Sequence, residues 1–150
     1  MSDLEVRRAT REDVPLIVAM LRDDPLGATR ESTPADPVYA SAFEAIAADP
    51  HQWLVVGVRA GEVIATLQLT IIAGLSRRGA RRALIEAVRV RSDHRGGGYG
   101  QTLVRWAVDK ARDEGCVMIQ LTTDKSRVDA HRFYERLGFT DTHVGYKLAL

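Results

Sequence analysis

The glycine-rich stretch RGGGYG, from Arg95 to Gly100, contains the residue types that most directly suggest a chemical role. Glycine adopts a positive φ without the penalty that a Cβ imposes, and it lets successive backbone N–H groups approach a ligand closely. At the start of a helix, unpaired N–H groups and the positive end of the helix dipole together bind anions. Arg95 can add a charge-assisted hydrogen bond. We therefore predict an anion site here, with phosphate as the anion.

The glycine spacing excludes the two commonest nucleotide-binding motifs. A P-loop ends in Gly-Lys-Ser or Gly-Lys-Thr, whereas Gly100 is followed by Gln101 and Thr102. The dinucleotide fingerprint requires a glycine at its sixth position, and that position holds Gln101 or Leu103, depending on the starting glycine. Glycine-rich turns also end elements for purely structural reasons, so the glycine content alone leaves the role of the stretch open.

The composition predicts one globular domain over residues 1–150. Apolar residues make up 45% and charged residues 27% of the chain, near the averages of soluble domains. The net charge of +1 gives no overall attraction to nucleic acid or anionic membranes, and the apolar segment 63–75 is too short for a membrane helix. The single cysteine, Cys116, forms no intramolecular disulfide and suits a reducing compartment. We expect a cytoplasmic protein with no nucleic-acid or membrane partner.

Hydrophobic periodicity predicts the elements that position the glycine stretch. The order is β-α-α-β-β-β-α-β-α-β, which is an α/β fold with a mixed sheet. The predicted strands are 4–9, 53–59, 62–72, 84–91, 117–123 and 143–148, and the predicted helices follow Thr10, Asp36 and the glycine stretch and cover 129–138.

The region 84–123 forms a predicted strand, glycine turn, helix and parallel strand. Such a crossover is right-handed, and it places the glycine turn at the carboxyl end of its first strand. Ligands of open α/β sheets bind at that end. Ala60-Gly61 is a two-residue hairpin signal between the preceding strands, and the segment 23–37, rich in Pro, Gly, Ser and Thr, is predicted to be a surface loop.

Two blocks of the sequence resemble the GNAT family of N-acetyltransferases. The family's first signature is Arg or Gln, two residues, Gly, one residue, then Gly or Ala; its second is Ala-x-x-Phe-Tyr, a short gap, then Gly-Phe. The predicted element order is also that of the family, so the resemblance covers nearly the whole chain. One departure is Arg127, where many relatives carry Asn. The matching positions are Arg95, Gly98 and Gly100 in the first block and Ala130, Phe133, Tyr134, Gly138 and Phe139 in the second.

The resemblance implies an enzyme that takes acetyl-CoA as cosubstrate and acylates a primary amine by direct attack. It implies that the glycine stretch holds the diphosphate of coenzyme A, and that the preceding strand pairs with the pantetheine amides. A bulge in that strand would free a backbone N–H for the developing oxyanion. The implied coenzyme-binding residues are Val88, Arg89, Val90, Arg95, Gly96, Gly97, Gly98, Tyr99, Gly100 and Gln101.

Glu86 is our candidate for the base that this chemistry requires, acting directly or through water. In a regular strand it shares a face with Leu84, Val88 and Val90, and a carboxylate among core residues breaks a local rule, as functional residues tend to do. The structural alternative is that Glu86 lies at a strand end or bulge and pairs with an arginine.

Tyr134 resembles the family's proton donor to the departing thiolate. A phenol of pKa near ~10 is protonated when a thiolate of pKa near ~8.5 leaves. The structural alternative is an ordinary core aromatic, because Ala130, Phe133, Tyr134 and Leu137 have the spacing of one helix face.

The remaining polar residues give weaker evidence of a function. The four histidines show no metal-ligand spacing, so we predict no metal. The arginine turn around Gly79 comprises Arg77, Arg78, Arg81 and Arg82. It is expected to be a solvated hairpin end, or to contact an acidic partner or the 3′-phosphate of CoA. The acceptor would lie against the first two helices and the loop 23–37, where acidic residues could attract a cationic amine. These acids are Asp23, Asp24, Glu31 and Asp36.

Other functions also fit parts of the sequence. A non-catalytic CoA or acyl-CoA sensor would need the glycine stretch alone. A nucleic-acid-binding protein would use the arginine turn, but the near-neutral charge disfavours it. Two copies could also pair as a homodimer through an exposed edge strand.

Overall fold

The structure is a computed structural model that describes residues 3–150. It forms two compact units, one up to Gln120 and the other Leu121–Leu150. The prediction of a single domain over 1–150 stays a prediction.

The first unit is built on a five-stranded mixed sheet with the strand order β1-β2-β3-β4-β5. Neighbouring strands are antiparallel from β1 to β4, and β5 runs parallel to β4. The strands are β1 Glu5–Arg8, β2 Gln52–Arg59, β3 Glu62–Ile72, β4 Arg81–Val90 and β5 Cys116–Gln120.

Six helices complete the described chain, five of them in the first unit. They are α1 Val14–Arg22, α2 Gly27–Arg30, α3 Pro37–Ala48, α4 Ser76–Gly79, α5 Tyr99–Asp113 and, in the second unit, α6 Val128–Arg136. Short 3-10 turns at Arg11–Asp13 and Ser92–His94 precede α1 and the glycine stretch.

The core of the first unit lies along β3. Five consecutive residues of this strand, 63–67, are buried, so both faces of the strand are covered. Helix α5 packs against β3, β4 and β5 through a stripe at helical spacing, which comprises Leu103, Val104, Ala107 and Ala111. Ile17 and Met20 of α1 form a second cluster with Val56 and Val63.

The structure confirms most of the predicted elements. Ala60 and Gly61 both have positive φ, as a tight hairpin between β2 and β3 requires. Gly115 and Gly138, which follow the ends of α5 and α6, also have positive φ. The crossover from β4 through α5 to the parallel strand β5 is present. The fold is the predicted α/β class.

Three predictions of elements were wrong or incomplete. Residues 143–148 form no strand within the second unit, because alternating apolar residues make a strand only beside another strand and residues 121–150 contain none. Strand β5 ends at Gln120 rather than at 123. The single turns α2 and α4 were missed; in α4, Arg77 and Arg78 adopt left-handed φ, so the arginine turn is locally strained.

A partly buried ion pair fixes the start of α1 to the first strand. The carboxylate of Asp13, 5% exposed, accepts hydrogen bonds from Arg7 at 2.7 and 3.1 Å and from the backbone N–H of Thr10 at 2.7 Å. The Arg7 hydrogen bond, and after it that of Thr10, hold the pKa of Asp13 below its usual value despite the opposing effect of burial. Arg7 thus extends the capping box that Thr10 and Asp13 form at this helix start.

We predict that Asp13→Asn lowers the free energy of unfolding by about 1–3 kcal/mol, because it leaves Arg7 without its carboxylate. Glu44→Gln, which breaks the exposed Arg11–Glu44 pair, is the control and should cost less than about 1 kcal/mol. Because the folded-state pKa of Asp13 is lowered, its contribution is complete above about pH 4 and is lost as the pH falls further. Urea unfolding at neutral and acid pH measures this; equal loss in both variants would contradict it.

Candidate functional site

Strand β4 separates from β5 halfway along its length. The parallel ladder joins Arg81–Leu84 to Cys116–Gln120 and goes no further. Beyond Leu84, β4 continues to Val90 with β3 on one side and no strand of the first unit on the other. An exposed strand edge offers a row of N–H and C=O groups that can bind an extended ligand.

A β-bulge interrupts β4 on its other side. Arg89 pairs with Thr66 and Glu86 pairs with Gln68, so two residues of β4, Ala87 and Val88, face Leu67 alone. Ala87 has φ 54°, in the left-handed region that residues with a Cβ rarely adopt. The structure thus contains the bulge that the resemblance implied, at the start of the segment Val88–Val90. The extra residue lies outside the ladder, which changes the direction of the strand at this point.

Glu86 is exposed, on the β4 face that also carries Arg82 and Leu84. Our expectation of a carboxylate among core residues was wrong: the buried residues of β4 are Ala83 and Ile85, on the opposite face, and the bulge breaks the regular alternation that the expectation assumed. Among residues 3–150 the Glu86 side chain makes no hydrogen bond or salt bridge, so the structural alternative of an arginine pair is also not observed.

An amide network holds a second polar residue beside Glu86. Gln68, opposite Glu86 in the β3–β4 ladder, donates from Nε2 to Oε1 of Gln52 at 3.0 Å. Thr70 donates from Oγ1 to the same oxygen at 2.9 Å. The sequence analysis did not assign these residues a role. The available signal was the alternation of three polar residues, Thr66, Gln68 and Thr70, with apolar ones in β3.

Arg89, a predicted coenzyme-binding residue, forms a nearly buried ion pair through its side chain. Its Nε lies 3.1 Å from Oδ2 of Asp24, and the two side chains are 15% and 10% exposed. Oδ1 of Asp24 also accepts the backbone N–H groups of Leu26 and Gly27 at 2.8 and 2.9 Å. The pair therefore fastens the loop after α1 to the strand segment that follows the bulge.

The other acidic residues of this loop also have partners within the chain. Asp36 accepts the backbone N–H of Val38 and caps α3. Asp23 lies 3.7 Å from Arg95, and Glu31 accepts the hydroxyl of Tyr39 at 3.4 Å. These interactions engage the carboxylates that we expected to attract a cationic amine, so we do not assign them that role.

The glycine stretch caps α5 without a side chain. Gly96 and Gly98 have positive φ, and Gly98 is the N-cap. A Cβ at Gly97 would lie 2.6 Å from the Tyr99 ring, so a larger residue there would force that ring to move. The backbone N–H groups of residues 98–101 donate to no acceptor within residues 3–150. Unpaired N–H groups at the start of a fifteen-residue helix are able to bind an anion.

The residues around the glycine stretch hold it to the end of β4. Arg95 donates from Nε to the carbonyl of Val90 at 3.2 Å and from Nη2 to that of Asp23 at 3.1 Å. Arg91 binds Asp93 at 2.7 Å and Glu62 at 3.0 Å. The Arg91 hydrogen bond, and after it that of His94, hold the pKa of Asp93 far below its usual range.

Tyr134 belongs to the second unit. Its ring makes edge contacts with Phe133 and Phe139, at centroid distances of 5.0 and 5.8 Å, and it is partly buried. The Phe139 N–H donates to its carbonyl at 3.1 Å, closing the end of α6. Arg127, at the position where many relatives carry Asn, is the N-cap of α6 and makes no capping hydrogen bond with its side chain.

The predicted residues thus fall into two groups. Glu86, the bulge, the open edge of β4 and the glycine stretch follow one another along the first unit, whereas Tyr134 lies in the second. No cluster of three or more potential metal ligands occurs within residues 3–150. None of the helices in that range is long and apolar enough to span a bilayer.

Known proteins resemble this chain along most of its length. Residues 17–139 match the acetyltransferase (GNAT) family. The chain is 30% identical to aminoalkylphosphonate N-acetyltransferase of Salmonella typhimurium, over 97% of this chain and 91% of the relative. It resembles the crystal structure of a transcriptional regulator from Bacillus halodurans (44% identity, TM-score 0.95, covering 98% and 99%) and that of a Trypanosoma brucei acetyltransferase (25%, 0.81, 99% and 100%). The chain is therefore a member of the GNAT family of N-acetyltransferases.

Proposed function

We propose that the protein transfers the acetyl group of acetyl-CoA to a small primary amine, by direct attack of the amine on the thioester. The observation that carries this proposal is the continuity of the open β4 edge, Ile85–Val90, with the unpaired N–H groups at the start of α5. The edge suits the amides of a pantetheine arm, and the helix end suits a diphosphate. A single extended ligand with both groups fits the two features.

The reaction requires three charge movements. The amine nitrogen forms a bond to the thioester carbon, the carbonyl oxygen gains negative charge, and collapse of the adduct breaks the C–S bond. We assign the oxyanion to backbone N–H groups beside the bulge at Ala87 and Val88. Glu86 receives the amine proton, directly or through water, and Tyr134 protonates the departing thiolate.

The role of Glu86 has a thermodynamic limit. Carboxylic acids and alkylammonium ions differ by roughly six pKa units, so a carboxylate cannot strip a resting ammonium efficiently. The acidity of the nitrogen rises as its bond to carbon forms, and a base held beside it can then accept the proton. The amide network places Gln68 next to Glu86, where its Oε1 can accept a hydrogen bond from the amine.

The acceptor class is suggested by a relative. The Salmonella typhimurium protein is named for aminoalkylphosphonates, which are small primary amines that carry an anion. We propose that such amines are the first acceptors to test. The alternative proposal, a sensor that binds CoA without turnover, uses the glycine stretch but needs neither Glu86 nor Tyr134.

Thiol release from acetyl-CoA across a panel of amines tests the function. We expect turnover with at least one aminoalkylphosphonate, amino sugar, polyamine, amino acid or peptide, and a rate that rises with pH as the neutral amine becomes more abundant. Calorimetry with CoA provides the second readout. Binding of CoA without turnover of any amine would favour the sensor, and the absence of both would contradict the site itself.

Replacement of Gly98 by leucine should weaken CoA binding at least about a hundredfold, because the side chain would project from the N-cap where a diphosphate approaches the N–H groups. Gly115→Leu is a matched control: both glycines have similar positive φ, and neither has an atom within 4 Å of an added Cβ. Each variant should lose about 1–2 kcal/mol of stability. Calorimetry with CoA separates them; equal affinities would refute the assigned diphosphate site.

Glu86→Gln should lower kcat by about 10²–10⁴, since it removes the proton acceptor and keeps the shape of the side chain. CoA affinity should stay unchanged, and so should stability within about 0.5 kcal/mol, because Glu86 is exposed and makes no bond to residues 3–150. Glu5→Gln, an exposed glutamate of β1, is the control. Steady-state kinetics measures the effect, and wild-type kcat in Glu86→Gln would rule out the base role.

A further inference from the structure

The side chain of Asp24 is nearly buried, although it lies in a segment that the sequence predicted to be a surface loop. Its Oδ1 accepts the backbone N–H groups of Leu26 and Gly27 at 2.8 and 2.9 Å, and its Oδ2 lies 3.1 Å from Nε of Arg89. Both oxygens of the carboxylate are thus engaged. A surface turn does not need such a residue, because water can satisfy its backbone groups.

Close packing fixes where the loop at Asp24 lies. Gly27 is buried, and a Cβ on this residue would overlap the backbone carbonyl of Leu21. The loop therefore packs backbone against backbone on the last turn of α1. The hydrogen bond from Gly27 to Asp24 transmits this fixed position to the carboxylate.

The guanidinium of Arg89 connects Asp24 to the bulge in β4. Nε of Arg89 faces Asp24, and its Nη1 donates to the backbone carbonyl of Val88 at 2.9 Å. A peptide group is planar, so a hydrogen bond that holds this carbonyl also fixes the plane of the peptide between Val88 and Arg89. Val88 is one of the two bulge residues, and the other, Ala87, has a left-handed φ that its surroundings must impose. Asp24 is thus linked, through one side chain, to the backbone beside which the oxyanion is proposed to form.

We propose that Asp24 is a positioning residue for acetyl transfer: it orients the Arg89 guanidinium, which holds the bulge so that its N–H groups point at the developing oxyanion. This inference rests on the proposed function and adds to it a residue that acts only through Arg89. The guanidinium is a planar fork, so the direction of Nε decides where Nη1 points. Hydrogen-bond donors stabilise a transition state most when their direction is set before the charge develops.

Helix α1 has a comparable ion pair at its other end, which provides a matched control. The Asp13 carboxylate accepts hydrogen bonds from Arg7 and from a backbone N–H, and Arg7 also donates to the carbonyl of the adjacent residue, Arg8, at 3.1 Å. The chemistry of the two pairs is therefore alike. Only the Asp24 pair is attached to β4 and its bulge.

Asp24→Asn keeps the shape of the side chain and removes its charge. We expect kcat to fall at least about tenfold, while CoA affinity measured by calorimetry changes less than about threefold, because misdirected donors affect the transition state more than the bound coenzyme. Asp13→Asn should leave kcat within about twofold of wild type. Arg89→Lys keeps a charge for Asp24 but lacks the planar fork, so it should lower kcat as well, and it tests the proposal even if Asp24→Asn fails to fold.

The infrared band of the thioester carbonyl is a readout that a purely structural role would not change. A hydrogen bond from the bulge polarises this carbonyl and lowers its stretching frequency. Acetyl-CoA labelled with carbon-13 at the carbonyl should therefore absorb at lower frequency when bound to the wild type than when free. The band should move back toward the free value in Asp24→Asn and Arg89→Lys, and it should stay at the wild-type value in Asp13→Asn.

The outcomes separate this inference from the proposed function. A wild type that binds acetyl-CoA without a shifted band would contradict the proposed oxyanion site, and the role of Asp24 with it. Wild-type kcat and an unchanged band in Asp24→Asn and Arg89→Lys would refute only the role of Asp24. Loss of CoA affinity in proportion to kcat would refute it too, because the pair would then hold the coenzyme rather than the bulge. An equal loss of kcat in Asp13→Asn would show a general effect of stability instead.

Discussion

The separation of β4 from β5 after Leu84 is the constraint on which the candidate site depends. A ladder continued to Val90 would use the backbone groups of β4 for the sheet itself and leave none for a ligand. The sheet therefore gives up hydrogen bonds of its own at the end of β4 that leads to the glycine stretch. Open α/β sheets bind ligands at this end of their parallel strands. Here the binding space is the gap between the adjacent strands β4 and β5.

The bulge at Ala87 and Val88 persists because β4 is held on both sides of it. A left-handed alanine costs on the order of 1–3 kcal/mol, so the neighbouring structure must impose it. The ladder with β3 resumes at Arg89, and the Arg89–Asp24 pair ties this segment to the loop after α1. Buried ion pairs often add little net stability. In this position the pair fixes where the loop lies relative to the bulged strand.

The sequence predicts the features of this fold that depend on local pattern. Periodicity located β1 to β5 and the main helices, and glycine content located the turn before α5. The environment of Glu86 could not be inferred, because the face that a strand residue occupies changes at a bulge and no residue type marks this bulge. The Arg89–Asp24 pair joins residues far apart in sequence, so no local signal identifies it. Alternation also predicted a strand at 143–148. A strand needs a neighbouring strand to pair with, and the local sequence does not reveal whether one is present.

The exposure of Glu86 changes how its proposed role should be understood. Glu86 is exposed on β4 and makes no hydrogen bond or ion pair with the described residues. Glu86 would then contribute through its fixed position. The bulge follows it in β4, and the hydrogen bond to Gln52 holds Gln68, its neighbour on β3. Holding a base and an amine in contact can replace much of the entropic cost of bringing them together. The rigidity of β3 and β4 around the bulge is therefore the property through which this sheet would promote acetyl transfer.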